Sequence, residues 1–242
     1  FANNNIIAVG AAGTIFNASQ GLVASGVFET IWAIAYGNGT YVAGGDYNTI
    51  LTSTDGITWT RRTEPVYSYR TSIRSIAYGN SAFVAIEGSN IYTSLDNGVT
   101  WIEKNLLDPD YYGFHHVVFA SNIFVAVGDE GKVFTSPDGI TWTDRSIPLQ
   151  SMGLPGHHLW DIVYGNGMFV AISLYHGIFT SPDAINWANE QTTWIGNPGN
   201  YSICNIAYGN GTFVIVGEGG IIYSSPDART WTEQRDADRT QV

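Results

Sequence analysis

The stretch SPDGITWT, residues 136–143, decides how the rest of the chain is interpreted. The same pattern returns as STDGITWT at 53–60 and as SPDARTWT at 225–232, with a looser copy, SPDAINWA, at 181–188. A fifth copy, SLDNGVTWI at 94–102, is one residue longer. Five copies of one Asp and Trp pattern predict a repeated structural joint rather than five active sites.

A second landmark gives the period of the repeat. An apolar residue opens a short strand-like segment at Ile34, Ile76, Val117, Ile162 and Ile206, so the spacings are 42, 41, 45 and 44 residues. In the second unit the pattern predicts four short strands, IAY, TYVAGG, TILTS and ITWTR, separated by Gly and Asn turns. The GNG segment predicts a tight hairpin turn, because Asn and Gly tolerate positive φ.

A sixth, decayed copy stands at the start of the sequence. FANNNIIAVG at 1–10 matches FASNIFVAVG at 119–128, but Gln20 and Ala24 replace the Asp and Trp of the octet. Six units of four strands predict an all-β fold, a six-bladed β-propeller of four-stranded antiparallel blades with an incomplete first blade. We expect one domain, 1–242, with units near 1–29, 30–71, 72–112, 113–157, 158–201 and 202–242. Because the sequence opens inside a repeat, we expect a processed chain or part of a larger chain or assembly.

The octet resembles the Asp-box, or BNR repeat, of the sialidase-like propellers. The resemblance covers nearly the whole chain, and the copy at 94–101 matches the full motif S-x-D-x-G-x-T-W. An Asp in this turn can accept backbone N–H bonds, Gly supplies the required backbone angle, and Trp packs between neighbouring blades. The residues expected to be structural are Asp55, Asp96, Asp138, Asp183 and Asp227, with Trp59, Trp101, Trp142, Trp187 and Trp231.

Composition excludes several classes of function. The chain of 242 residues has only ten Lys and Arg and a net charge of −11, so we expect no nucleic-acid partner. No apolar run approaches the roughly 18 residues of a membrane span, so we expect no membrane insertion. Cys204 is the only cysteine, which excludes an intrachain disulfide and a thiolate metal cluster, and we expect it to be a small buried hydrophobe.

A binding site is expected where the repeats vary. In a propeller the blade-to-blade links and the turns between strands two and three lie on one face, around the mouth of the central channel. The links of this chain are dissimilar and rich in aromatic residues, which suit sugar stacking or protein contact. The candidate ligand-binding residues are Trp32, Arg74, Tyr111, Tyr112, His115, Trp160, Asp161, Trp194 and Asn205.

Most of these candidates fall at two positions of the repeat, both at the start of the innermost strand. Two positions before the anchors stand Trp32, Arg74, His115, Trp160 and Cys204, and one position before them stand Ala33, Ser75, His116, Asp161 and Asn205. We expect one of the two sets to surround the channel mouth. The five histidines also fall in or near the links, but neighbours along a strand point to opposite faces, so we expect no metal site.

The resemblance implies sialidase activity first, and the sequence argues against it. Sialidases use three arginines, a Tyr–Glu nucleophile pair, an Asp acid/base and an early Phe/Tyr-Arg-Ile-Pro motif. This chain has no such motif and no Arg in its first unit. We therefore expect no catalytic residues and no cofactor, in a binding or adhesion propeller on a cell surface or virion that engages glycans or a protein partner. The alternative is a glycoside hydrolase of the sialidase-like superfamily.

Overall fold

The computed structural model describes residues 6–62, 72–106, 113–152, 158–173, 177–190 and 202–234. Within these residues, 23 strands form six antiparallel sheets, and the helical segments are four short 3-10 turns, at Ala11–Gly13, Asp129–Gly131, Leu149–Met152 and Glu218–Gly220. None of the described segments is a helix with the length and apolarity that a membrane crossing requires. The architecture is all-β, as the sequence predicts.

Each sheet is made of consecutive strands. Sheet one contains β1 (Ile7–Val9), β2 (Ile15–Asn17) and β3 (Gly21–Val23). Sheet two contains β4 (Ile31–Gly37), β5 (Thr40–Gly45), β6 (Ile50–Ser53) and β7 (Thr60–Arg61). Sheet three contains β8 (Ser75–Gly79), β9 (Ala82–Glu87), β10 (Asn90–Ser94) and β11 (Ile102–Asn105).

The other three sheets repeat this order. Sheet four contains β12 (Phe114–Ala120), β13 (Ile123–Gly128), β14 (Val133–Ser136) and β15 (Thr143–Asp144). Sheet five contains β16 (Leu159–Gly165), β17 (Met168–Ser173), β18 (Ile178–Ser181) and β19 (Ala188–Asn189). Sheet six contains β20 (Ile203–Gly209), β21 (Thr212–Gly217), β22 (Ile221–Ser225) and β23 (Thr232–Glu233).

These six sheets are the blades of a β-propeller, and the first blade is incomplete, as predicted. Within the described residues, sheet one has three strands and each of the others has four. The chain divides into two compact units, Phe1–Ala126 with Thr135–Thr143, and Val127–Phe134 with Asp144–Val242. Sheets one to three belong to the first unit and sheets five and six to the second.

The hairpin between the first two strands of a sheet closes as the sequence predicts. Asn38 and Gly39 both have positive φ, 45° and 75°, which is the backbone of a two-residue type I′ turn. The remaining such turns use the pairs Asn80–Ser81, Ser121–Asn122, Asn166–Gly167 and Asn210–Gly211. The local twist of this turn matches that of the flanking strands, so a short sequence signal is enough to specify it.

The fourth strand is shorter than predicted. The sequence pattern extends strand four over ITWTR, 57–61, whereas β7 covers only Thr60–Arg61. Residues 54–58 belong to the turn instead, and Trp59 lies before the strand. The reason is that the Asp side chain bonds to the backbone of this segment, which removes those N–H groups from the strand ladder.

We call the segment that contains Ser136 and Asp138, and its four equivalents, the Ser-x-Asp turn. Asp138 Oδ1 accepts hydrogen bonds from Ile140 N at 2.8 Å, Thr141 N at 2.7 Å and Ser136 Oγ at 2.9 Å. Gly139 N donates to Ser136 Oγ at 2.8 Å. One carboxylate therefore satisfies two backbone donors that have no partner in the sheet.

The same carboxylate geometry recurs in each copy. An Oδ1 atom accepts backbone hydrogen bonds from two following residues at Asp55, Asp96, Asp138, Asp183 and Asp227. The residue after the Asp has left-handed backbone in four copies, as Gly in two (Gly56 and Gly139) and as Ala in two (Ala184 and Ala228). In the longer copy, Asn97 and Gly98 both have positive φ.

The Trp of the turn packs against the preceding residues of the same repeat. Trp142 is only 9% exposed, and its Nε1 donates to the carbonyl of Gly139 at 2.8 Å. Its ring lies 6.5 Å from that of Phe124, measured between centroids. That the Asp and Trp of the repeat have a structural role stays a prediction.

Consecutive sheets approach each other over a glycine. A Cβ atom placed on Gly37 would come within 2.0 Å of the Tyr78 ring in the next sheet. The same ring contact would bring a Cβ on Gly79 within 2.0 Å of Phe119, and one on Gly165 within 2.3 Å of Tyr208. At these three junctions the glycine that ends the innermost strand is therefore required by the close approach of the aromatic ring.

We predict that the Trp of the Ser-x-Asp turn contributes more to the free energy of unfolding than the Asp does. Asp138→Ala should lower the free energy of unfolding by about 1 to 3 kcal/mol, because two backbone N–H groups lose their acceptor. Trp142→Ala should lower it by about 3 to 5 kcal/mol, because it leaves a cavity. The matched control is Thr143→Ala on the exposed strand β15. Urea unfolding measures all three, and equal effects of Trp142→Ala and Thr143→Ala would contradict the packing.

We predict that stability falls in acid through these turns. Hydrogen bonds from Thr230 N and Arg229 N lower the pKa of Asp227 to about 2, and the pKa values of the other four Asp carboxyls are also lowered. A lowered folded-state pKa gives stability that is present above the unfolded value, near pH 4, and lost as pH falls. The free energy of unfolding should decrease from about pH 4 to pH 2. Asp227→Asn should show a shallower decrease, and a flat wild-type profile over this range would contradict the prediction.

Candidate functional site

A β-bulge begins the innermost strand of three sheets. The strand register shifts between Ile31 and Ala33 in sheet two, between Leu159 and Asp161 in sheet five, and between Ile203 and Asn205 in sheet six. The extra residues are Trp32, Trp160 and Cys204. A bulge leaves its extra residue out of the ladder and redirects the side chain. In sheets two, five and six, the residue two positions before the anchor is therefore the extra residue of a bulge.

The bulge residues differ in exposure. The side chain of Trp32 is 57% exposed, whereas Trp160 and Cys204 are half-buried. The expectation of a fully buried Cys204 is wrong, because the bulge places it outside the ladder, with Sγ 3.7 Å from the carbonyl of Ser202. Arg74, at the equivalent position of sheet three, is exposed, and His115 in sheet four is half-buried.

The exposed indole of Trp32 is held by a carboxylate. Trp32 Nε1 donates to Asp46 Oδ1 at 2.7 Å, and Ser72 Oγ donates to the same oxygen at 2.8 Å. Asp46 N donates to the carbonyl of Thr30 at 2.9 Å. Asp46 follows β5 and forms an isolated antiparallel bridge with Ser72. One acidic side chain thus fixes the ring against the turn between strands two and three.

Hydrogen bonding keeps the Asp46 carboxyl ionised. Burial raises the pKa of Asp46, but the hydrogen bonds from Trp32, Ser72 and Thr30 outweigh burial and lower it. The neighbouring Tyr47 is 53% exposed and has a left-handed backbone, with φ of 54°. Asp46 and Tyr47 were not among the residues predicted from the sequence, and the DYN segment between strands two and three was their one available signal.

We define the Trp32 patch as Trp32, Asp46, Tyr47, Ser72 and Arg74. All five lie in the first compact unit, on the turn between strands two and three of sheet two and on the start of the innermost strands. The patch combines two exposed aromatic rings, an anchored carboxylate and an exposed guanidinium. Stacking planes beside directed polar groups can bind a sugar ring or an extended peptide.

The second register joins neighbouring sheets. Asp161 is 2% exposed, and its Oδ2 accepts from Ile206 N at 2.9 Å and from Asn205 Nδ2 at 3.2 Å. Its Oδ1 accepts from Ile162 N at 2.8 Å. Ser75 does the same between sheets three and four, since its Oγ accepts from Val117 N at 3.2 Å and lies 3.3 Å from the Val117 carbonyl. At Asp161 and Ser75 the side chain one position before the anchor therefore binds the anchor strand of the next sheet.

A histidine and an aspartate come close together in the second compact unit. His158 Nδ1 is 2.8 Å from Asp129 Oδ1, although the contact is not aligned as a hydrogen bond. Asp129 begins the 3-10 turn Asp129–Gly131 that follows β13. Within the described part of the chain, no three His, Cys, Asp or Glu side chains are grouped so that they could hold a metal ion. Tyr111, Tyr112, Trp194, His157 and His176 lie outside the described residues.

Comparison with known proteins supports the fold alone. No protein-family model matches the chain, and no curated protein matches it. Among solved structures, YCF48 bound to the D1 peptide has a TM-score of 0.70 and 18% identity, over 98% of this chain and 79% of that chain. YCF48 from Cyanidioschyzon merolae has a TM-score of 0.55 and 16% identity, over 85% of both chains.

A third similar structure is an extracellular domain. The extracellular domain of the putative one component system BT4673 from B. thetaiotaomicron has a TM-score of 0.67 and 13% identity, over 100% of this chain and 35% of that chain. These structures are β-propellers. Because every identity is well below 25%, the likeness establishes this chain as a β-propeller and assigns it no family.

Proposed function

We propose that the chain is a non-catalytic binding propeller that engages a partner through the Trp32 patch. The observation that carries the proposal is the anchored, exposed indole: Trp32 is 57% exposed, yet its Nε1 is fixed to Asp46 at 2.7 Å. Exposed aromatic rings with restricted rotamers give contact area at low entropic cost, and Trp is enriched at binding hot spots.

A protein partner is the first candidate for this patch. YCF48, which shares the fold, is described in complex with a peptide. An extended peptide could stack an apolar side chain on Trp32 and donate or accept hydrogen bonds at Asp46 and Arg74. A glycan is the second candidate, because a sugar ring can stack on the same exposed indole while its hydroxyls reach the same polar groups.

The local contacts of three carboxylates favour binding without catalysis. Asp46 is bonded to Trp32 and Ser72, Asp129 is paired with His158, and Asp161 is occupied between two sheets. Glycoside hydrolysis needs two carboxyl groups that face one substrate bond at about 5 to 10 Å separation. Each of these three carboxylates already has a local structural partner, which supports recognition rather than hydrolysis at their positions.

The proposed setting is the outside of a cell or the surface of a virion. Two observations support it: only 13% of residues are charged, and a propeller of similar fold is the extracellular domain of the BT4673 one component system. We also propose that the Ser-x-Asp turn is the Asp-box of the sialidase-like propellers. The support is its Ser, Asp and backbone hydrogen-bond pattern, which recurs in five sheets.

We predict that binding depends on Trp32. The labelled chain should be applied to a glycan array and to a displayed peptide library, and the affinity of the strongest binder measured by titration. Trp32→Ala should weaken that affinity about tenfold to thirtyfold, because it removes the stacking surface. Trp32→Phe should weaken it less, because it keeps an aromatic ring and loses only the bond to Asp46. Arg74→Ala should weaken it if the partner carries an acceptor.

The controls are Thr60→Ala and Thr143→Ala, which change exposed residues on the short fourth strands, and Trp160→Ala at the equivalent bulge of sheet five. The two Thr variants should keep the wild-type affinity within about twofold. If they lose binding while Trp32→Ala keeps it, the partner binds the outer strands and the proposed surface is wrong. If the chain binds only glycans in these two screens, the partner is a glycan. If it binds only peptides, the partner is a protein.

A further inference from the structure

The groups that donate to Asp46 are all neutral. Its carboxylate accepts hydrogen bonds from the indole of Trp32, the hydroxyl of Ser72 and the side chain of Thr30. Burial raises the pKa of this carboxyl, but these bonds outweigh burial and lower it, so the group is ionised at neutral pH. A carboxylate has about four acceptor sites, so three donors leave one site for a ligand. Neutral donors stabilise the negative charge without cancelling it.

The hydrogen bond to Asp46 also strengthens what the Trp32 ring attracts. The face of an indole is the negative side of its quadrupole, and it binds cations better than the faces of Tyr or Phe. Because Nε1–H donates to an anion at 2.7 Å, the bond polarises the ring and makes its face more negative. The Nε1 edge is thus held by the protein, while 57% of the side chain is exposed. The ring and the carboxylate therefore attract the same kind of ligand group, a cation.

A strained turn places a second aromatic residue next to Asp46 in the chain. Tyr47 and Asn48 have φ of 54° and 56°, and Thr49 N donates to the carbonyl of Asp46 at 3.1 Å. A two-residue turn with both φ values positive usually has Asn followed by Gly, and a tyrosine is disfavoured there. Tyr47 gains little burial in exchange, since it is 53% exposed. Strain held at an exposed aromatic residue favours a role in binding over a role in folding.

We propose that the Trp32 patch recognises a cationic side chain, lysine or arginine, of an extended peptide. The inference rests on the proposed function and names the partner of that same site. The ammonium or guanidinium group lies on the face of Trp32 and donates one hydrogen bond to Asp46, since Oδ1 already accepts two. Arg74, which is exposed on the following sheet, donates to a carbonyl of the same peptide. The net charge of −11 favours the approach of a cationic partner.

The test titrates the isotope-labelled chain with peptides of the form acetyl-Gly-Gly-X-Gly-Gly-amide, where X is lysine, arginine, trimethyl-lysine, norleucine or citrulline. The readout is the NMR signal of Trp32 Nε1–H, identified as the indole signal that Trp32→Phe removes. The three cationic peptides should shift this signal along a saturating curve. Norleucine and citrulline, the neutral analogues of lysine and arginine, should bind about threefold to thirtyfold more weakly, because they lose the attraction to the ring and to the carboxylate.

Two variants separate the carboxylate from the ring. Asp46→Asn keeps an acceptor for the indole N–H but removes the charge, so the preference for the lysine peptide over the norleucine peptide should fall about threefold. The matched control is Glu130→Gln, which removes the same charge from the turn between strands two and three of sheet four and should keep the preference. Trp32→Leu, followed by the backbone amide signal of Tyr47, keeps an apolar side chain. It should abolish binding of the trimethyl-lysine peptide, whose quaternary ammonium depends on the ring.

The outcomes that overturn the cationic partner differ from those that overturn the proposed function. Equal affinity for the lysine and norleucine peptides overturns the cationic partner, as does a Trp32 signal that no cationic peptide shifts at millimolar concentration. An equal loss of preference in Glu130→Gln and Asp46→Asn overturns it too, because the total charge of the chain then explains the preference. A glycan that shifts the Trp32 signal while the cationic peptides do not also overturns it, but leaves the Trp32 patch as the binding site. The proposed function itself fails only if the strongest binder keeps its affinity in Trp32→Ala.

Discussion

The contact between an aromatic ring and a glycine of the preceding sheet is the constraint on which the rest of the structure depends. Tyr78 lies on Gly37, Phe119 on Gly79, and Tyr208 on Gly165. Each ring also packs on its own sheet, as in the pair Tyr78–Phe83, whose centroids are 4.6 Å apart. A methyl group at the glycine would push the two sheets apart and open the apolar junction behind it. The pair of an aromatic ring and a glycine at these three junctions therefore sets the spacing between the sheets.

Contacts that are local and repeated could be predicted from the sequence. The period of the anchors, the Asn-Gly hairpins and the five Asp side chains each depend on residues within one turn of one another, and each occurs several times. Repetition makes such a signal visible, because five copies of Asp followed by Trp cannot be read as chance. The incomplete first sheet was visible for the same reason, through the decayed copy that contains Gln20.

The sequence indicated where the candidate site lies but not which residues contact one another in it. The repeat pattern indicated the position of Trp32. Its hydrogen bond to Asp46, however, spans 14 residues, and the hydrogen bond from Ser72 to Asp46 spans 26. Among the described residues this arrangement occurs once, so the repeat pattern does not indicate it. Asp161 shows the converse: its position suggested a ligand group, but its carboxylate links two sheets as Ser75 does elsewhere. A buried carboxylate and a hydroxyl fill the same role because each can accept the anchor N–H.

The left-handed residue of the Ser-x-Asp turn has a consequence for how this chain evolves. Gly56 and Gly139 adopt this backbone freely, but Ala184 and Ala228 hold φ near 58° and 59° with a Cβ that disfavours it. The carboxylate bonds of Asp183 and Asp227 keep both alanines there, so these two turns store conformational strain that their hydrogen bonds offset. A later substitution of either alanine by glycine can therefore release this strain. The stability gained can offset a destabilising mutation elsewhere in the blade.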